Sequence, residues 1–345
     1  MKTIKAILPI CAAVLALVAC EAPESESTSS EISASEMDSL VLALDWSPNV
    51  LHTGIILADH MGWYADAGIA LRWFSTEVDN YRKKPVQRLV DGEVDLAIAP
   101  SEHAFYFRES GHTRQAIAVA SLLQRGQSFF CHKADPTVSG LGDLSGYTYL
   151  GYDTPLEQAI LSSMLEQAGA EEEMPMDSPG RLQVWDAFLE REKQMVWIFS
   201  HWEGALAEEA GLDLSCYAPA DYAVPYGYSS VVLAGFPMDR ANGDALRRFL
   251  KVTEEAYREA ITMPRDSLAT LLWEATAHSN FAERDFVIRA IDRIADAYFD
   301  GENRWGHMEE EVWEDYLRWM KESLSDDLPD SLHLPRAYFT NEYLN

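Results

Sequence analysis

From Leu40 onward the chain alternates short, unbroken apolar runs with stretches in which apolar residues recur every three or four positions. The runs Val41–Leu44, Ala70–Phe74, Asp95–Ala99, Ile117–Leu123, Tyr147–Gly151, Met195–Phe199 and Ser230–Ala234 read as strands buried on both faces, since a strand with one wet face would alternate apolar and polar residues. Amphipathic segments separate most of them, which predicts an α/β fold of parallel sheets with helices on both faces. The helix after Tyr152 has the clearest local signature. Thr154 is placed as N-cap, Pro155 takes the first helical position, Glu157 completes a capping box, and Leu156, Ile160, Met164 and Leu165 form an apolar face that ends at Gly169. Near the C-terminus Trp305, Met308, Val312, Tyr316 and Trp319 recur at steps of three and four, a packing stripe that turns Glu309, Glu310 and Glu311 elsewhere.

Before Leu40 the pattern changes. Lys2 and Lys5 precede an apolar run, Ala6 to Ala19, which at about 14 residues is too short to span a bilayer and fits a signal-peptide core. Leu17-Val18-Ala19-Cys20 matches a bacterial lipoprotein processing box, so residues 1–20 are expected to be a signal peptide and Cys20 the lipid-bearing first residue of a periplasmic or extracytoplasmic protein. Residues 21–39 are mostly Glu, Ser, Ala and Thr and are expected to form a flexible tether, because they cannot offset their ordering entropy by burial.

The remaining chain, within 345 residues that are 48% hydrophobic, is long enough for two lobes. A net charge of −29 excludes nucleic acid as a partner, since no basic stripe exists to meet a phosphate backbone. Outside the signal segment only Cys131 and Cys216 remain as thiols, and their wide spacing is read as two separate buried cysteines. His60, His112, His278 and His307 show no metal-ligand spacing, and no G-x-S-x-G elbow supports a hydrolase.

The segment LDWSPNVLHTG at 44–54 sets Asp45, Trp46, Asn49 and His52 at a strand-to-helix junction. With GWYADAGIAL at 62–71, GEVDLAIAPSEH at 92–103, VASLL at 119–123, LGYDTP at 150–155, HWEG at 201–204, DYAVPYGYS at 221–229 and FTNEYL at 339–344, the chain resembles the thiamine-pyrimidine-precursor family along nearly its whole mature length. That family includes lipoprotein substrate-binding proteins of ABC importers and the fungal enzyme that makes hydroxymethylpyrimidine phosphate. The resemblance implies a periplasmic-binding-protein type 2 architecture, with lobe one at 40–130 and 236–345, lobe two at 131–235, and crossings near Phe129–His132 and Val232–Gly235. Ligands of open α/β sheets sit beyond the carboxyl ends of strands, where Asp45-Trp46, Ser101-Glu102-His103, Tyr152 and His201-Trp202-Glu203 fall.

The enzyme branch implies a lysine holding pyridoxal phosphate and a histidine consumed in the reaction. His103 stands where that histidine would be, but Ala99 stands where the lysine would be, and Lys83 and Lys84 lie upstream. DYAVPYGYSS lacks the enzyme's cysteine cluster, and Asp153-Thr154-Pro155 replaces a Gly-rich phosphate turn. The expectation is therefore a cofactor-free, non-enzymatic monomer that delivers an aminopyrimidine to ABC permease subunits. A receptor for a sulfonate, taurine or nitrate, and a synthase using His103, are the alternatives. A flat heterocycle calls for ring faces, from Trp46, Trp202, Tyr226 and Tyr228, and for polar edges, from Asp45, Asn49, His52, Ser101, His103, Tyr152 and Glu203. Each has a plainer reading, Glu203 as a first-turn acid and Asp45 as a turn-stabilising one above all.

Overall fold

The computed structural model describes residues 37–107, 112, 114–180, 182–324 and 337–344. Residues 1–36, and with them Cys20, the signal peptide and most of the tether, lie outside the described residues.

Among the described residues, ten strands form two five-stranded sheets. The first has the order β2-β1-β3-β10-β4, built from β1 (Asp38–Ala43), β2 (Ile69–Phe74), β3 (Leu96–Ala99), β4 (Gln115–Ser121) and β10 (Val231–Phe236). The second has the order β7-β6-β8-β5-β9, built from β5 (Ser128–Lys133), β6 (Thr148–Leu150), β7 (Met176–Asp177), β8 (Gln194–Phe199) and β9 (Leu214–Tyr217). Period-two side-chain alternation explains the unbroken apolar runs. Leu96 and Ile98 enter one core of the first sheet while Ala97 and Ala99 enter the core on its other face, and Val232 and Ala234 divide from Val231 and Leu233 in the same way.

The sheets are mixed, not parallel. β10 runs antiparallel to β3 and β4, and β5 runs antiparallel to β8 and β9. The chain leaves the first sheet after β4 and returns only at β10, so one strand of each sheet enters against the others. Phe129–His132 is part of β5 and Val232–Gly235 is part of β10, so the passages between lobes fall at 122–127 and 218–230, a few residues from the expected crossings.

Cys131 and Cys216 form a disulfide, which corrects the expectation of two buried thiols. They face each other on the antiparallel pair β5 and β9 with their Cα atoms 4.1 Å apart, slightly closer than the roughly 4.5 Å of a non-hydrogen-bonded pair in such a ladder. The bond closes a long loop and ties an edge strand to the sheet. Cys216→Ser is expected to cost about 2–4 kcal/mol, read as a fall in melting temperature; an unchanged melting temperature would show that the bond contributes nothing.

The capping box is present as expected: Thr154 Oγ1 accepts from the Glu157 amide at 3.3 Å, and the Glu157 carboxylate accepts from the Thr154 amide at 3.2 Å. The C-terminal stripe also packs, in a different register. The helix begins at Glu310, so Trp305 and Met308 are buried from the preceding loop, and Trp313, Tyr316, Leu317 and Met320 carry the inner face.

The long helix Arg240–Thr262 lies against the helix Thr53–His60 and braces the first cleft loop. Tyr257 donates to the Leu51 carbonyl and Tyr298 to the Val50 carbonyl, both at 2.6 Å. A Cβ on Gly54 would fall 2.3 Å from the Tyr257 ring, so only glycine lets the two helices approach this closely.

Candidate functional site

The carboxyl ends of β1, β3, β6 and β8 converge on one cavity of about 560 Å³ between the two sheets. Asp45, Trp46, Asn49, His103, Tyr152, Trp202 and Glu203 line it, as expected of strand-end residues. Trp46 from the first lobe meets Trp202 from the second edge to face, 5.2 Å between centroids, and Trp185 and Trp197 add two further indoles to the wall.

Four expected contacts do not line the cavity. His52 is fully buried behind it, with its Nδ1 accepting from the Asn49 amide at 3.3 Å and its Nε2 2.9 Å from Asp45 Oδ1. A ring nitrogen that accepts an amide proton carries none, so Nε2 holds the proton and donates it to Asp45. Ser101 sits beneath the cavity, where its amide donates to the Tyr228 carbonyl at 3.0 Å. Tyr226 packs edge-on between Trp197 and Tyr316, and the Tyr228 hydroxyl accepts from the Glu309 amide at 2.9 Å. Both tyrosines lie in the returning passage between lobes, where the helix Glu310–Ser323 covers Tyr226 and the chain just before it holds Tyr228.

The Asp45 carboxylate is held by His52 on one oxygen and by the Ser230 hydroxyl, at 2.8 Å, on the other. Burial would raise its pKa, but the hydrogen bonds from His52, Ser230 and the Trp46 amide outweigh burial and hold it below the usual carboxylate range. Asn49 caps the turn Val50–His52, accepting from the Leu51 amide and donating to the Ser47 carbonyl, so its amide is already engaged. Glu203 opens the helix Glu203–Glu209, as the plainer reading has it, and accepts from the Phe199 amide at 3.0 Å. It also faces the cavity. Burial pushes its carboxyl up to about 7 against the backbone hydrogen bonds it accepts, so near neutrality it exists in both forms.

Burial pushes His103 down to about 3, assisted by the Lys84 charge, and His201 down to about 4, so both imidazoles are neutral at pH 7. Among the described residues, His103 Nδ1, His201 Nδ1, Trp197 Nε1 and Thr76 Oγ1 are buried without a hydrogen-bond partner, and all four residues line the cavity. Buried polar atoms are nearly always partnered, so orphans gathered around one cavity fit a wall that hydrogen-bonds a small polar ligand.

The turn after β6 is decided by a side chain. Glu157, 3% exposed, accepts from the Tyr152 amide at 3.1 Å, the Thr154 amide at 3.2 Å and the Tyr149 hydroxyl at 3.0 Å. The backbone donors that would cradle a phosphate at a helix start are therefore taken by an internal carboxylate.

Several cavity residues escape a reading by local pattern alone. His201 does lie at a strand end, with Trp202 and Glu203, but nothing around it sets it apart as a contact; Trp185 lies in the first turn of the helix Val184–Glu190, which no long strand precedes. Lys83 and Lys84, fifteen or more residues before the end of β3, line the cavity as well, so the cleft holds basic groups beside its acids and rings. Among the described residues, no group of three or more His, Cys, Asp or Glu side chains is placed to hold a metal ion.

Comparison with known proteins adds the following. The chain is 23% identical to a formylaminopyrimidine-binding protein of Halalkalibacterium halodurans over 323 residues, which covers 93% of this chain and 94% of that one. Among solved structures it is similar to the periplasmic aliphatic sulphonate binding protein SsuA of Escherichia coli, 14% identical with a TM-score of 0.65 over 89% of this chain and 99% of that one. It is also similar to the periplasmic nitrate-binding protein NrtA of Synechocystis PCC 6803, 12% identical with a TM-score of 0.57 over 90% and 88%. The two mixed sheets flanking a cleft are thus a periplasmic-binding-protein type 2 fold. A family model described as NMT1/THI5 like matches residues 49–267, well over half of the chain, and the chain belongs to that family.

Proposed function

We propose that this protein is a lipid-anchored substrate-binding protein that captures a thiamine-related aminopyrimidine, of the formylaminopyrimidine or hydroxymethylpyrimidine type, for an ABC importer. The observation that carries the reading is Glu203 beside Trp202 in the cavity wall, with its carboxyl raised to about 7. A protonated carboxyl presents one donor and one acceptor along a single edge, and an aminopyrimidine presents the complementary pair, its exocyclic amine and a ring nitrogen. Trp46, Trp185 and Trp202 supply faces for the ring.

Similarity to the formylaminopyrimidine-binding protein of Halalkalibacterium halodurans supports the same ligand class. The filled turn at Glu157 supports an unphosphorylated one, and Ala99 at the end of β3 leaves no amine at the strand end where the enzyme branch carries its lysine, Lys83 and Lys84 reaching the cavity from the segment before the helix Pro85–Val90. The lipid anchor rests on Cys20 and its processing box.

Calorimetry separates this reading from its rivals. The protein is expected to bind a formylaminopyrimidine or hydroxymethylpyrimidine saturably and to ignore taurine, alkanesulfonates and nitrate; binding confined to those anions would overturn it. Intact mass is expected to stay unchanged after incubation with the pyrimidine, pyridoxal phosphate and iron(II), and loss of mass at His103 would establish the synthase instead.

A further inference from the structure

Lys83 and Lys84 are neighbours on the cavity rim with different surroundings. The Lys83 ammonium is paired with Asp91 at 2.5 Å and Glu93 at 2.6 Å, which neutralise it. The Lys84 ammonium has no hydrogen bond or ion pair with any described residue, although Lys84 lines the cavity. Its place is set by the backbone. Lys84 caps the helix Pro85–Val90 in extended conformation, with Pro85 buried behind it at the first helical position.

Both lobes bring charged side chains to the cavity. The first lobe presents Lys84 and the paired Lys83 together with the Asp45 carboxylate, and the second presents Asp186 and Glu203. Lys84 and His103 both belong to the first lobe and line the cavity, and the Lys84 charge acts on His103. Lys84 therefore shares the first-lobe wall with His103, whereas Trp202 and Glu203 line the cavity from the second lobe. Resting on the reading that Glu203 grips the aminopyrimidine edge, the opposite end of the ligand, its side arm, lies toward Lys84.

We propose that Lys84 sets side-arm specificity: its ammonium donates a hydrogen bond to the carbonyl oxygen of an N-acylated aminomethyl arm and repels the protonated primary amine left when the acyl group is absent. A neutral carbonyl suits this end better than an anion. Among the described residues Lys84 is the one unpaired cation lining the cavity, which Asp45 and Asp186 also line, and the backbone amides of the turn after β6 are held by Glu157. A charge-assisted hydrogen bond at an exposed lysine corresponds to about a tenfold change in affinity, and like-charge repulsion at the same point adds to the discrimination.

The test compares three pyrimidines with the same ring and a formamidomethyl, aminomethyl or hydroxymethyl arm, titrated calorimetrically into the wild type, Lys84→Met and Lys84→Glu. The wild type is expected to prefer the formamide over the amine by about tenfold or more, with the preference shrinking as salt is added. Lys84→Met is expected to erase most of it, Lys84→Glu to reverse it, and the hydroxymethyl compound to change least. The same formamide-to-amine ratio in all three proteins would overturn the role of Lys84 while leaving the aminopyrimidine reading standing. Failure of the wild type to bind any of the three would overturn that reading and this inference together.

Discussion

Glu157→Ala is expected to destabilise the protein by about 3–5 kcal/mol, because one truncation orphans several buried donors at once. The carboxylate receives the Tyr152 and Thr154 amides and the Tyr149 and Thr154 hydroxyls, all between 2.9 and 3.2 Å. Glu157→Gln keeps the volume and one acceptor oxygen but turns an amide NH2 toward the remaining donors, so an intermediate loss is expected. Urea denaturation measures both, and a loss below about 1 kcal/mol for the alanine variant would show that solvent satisfies these donors equally well. The alanine variant has a functional consequence too. With its carboxylate gone, the turn after β6 regains free amides at a helix start, and weak binding of a phosphorylated pyrimidine is expected where the wild type shows none.

The second large effect is a pH dependence centred on Glu203. An acid whose folded pKa exceeds its unfolded value binds more protons in the folded state. Stability therefore falls as pH rises through the window between those two values and is level above it. For Glu203 the window runs from 4.5 to about 7, worth about 3 kcal/mol in all. Glu203→Gln removes the ionisation, so the stability of the variant relative to the wild type is expected to increase between pH 5 and pH 8. Glu102, also raised to about 7 by burial, contributes the same slope to both proteins and cancels in the difference. His103 and His201 act in the opposite sense. Their folded pKa values lie below the unfolded value of 6.5, so the stability they carry is lost as pH falls below it, and this too is common to both proteins. Parallel melting curves from pH 5 to pH 8 would show that Glu203 ionises normally. Ligand affinity is expected to fall above pH 7 in the wild type as the shared proton is lost. Glutamine, which keeps a donor beside an acceptor, is expected to bind with little pH dependence, and alanine at this position to bind weakly throughout.

The corner around Asp45 shows how far local pattern reaches. Its strand, its turn and its cap follow from neighbours within ten residues, and so does its place in the cleft, because a strand end in such a sheet faces the ligand side. What His52 does beside it does not follow. Seven positions along, the same imidazole can point into the cavity or back at the carboxylate, and the choice was made by the braces that Tyr257 and Tyr298 place on the turn. Tyr226 and Tyr228 carry rings suited to a ligand and stand in a segment that reads as a site, yet distant chain around the C-terminal helix packs against both of them.

Seven of the ten described strands, the capping box at Thr154, the two-lobed α/β organisation and the strand ends that bear Asp45, Trp46, His103, Trp202 and Glu203 were legible in the chain alone, since they rest on short-range periodicity, capping chemistry and ordered motifs, whereas β5, β7 and β9 carry no such run. Only the tertiary structure decided the antiparallel entries of β5 and β10, the pairing of Cys131 with Cys216, the arrival of Lys84 and Trp185 in the cleft and the closing of the β6 turn by Glu157. The physical reason is common to these: each depends on which distant segments pack together, and the burial that drives such packing is proportional to area and indifferent to direction, so its outcome is written in no local stretch of the chain.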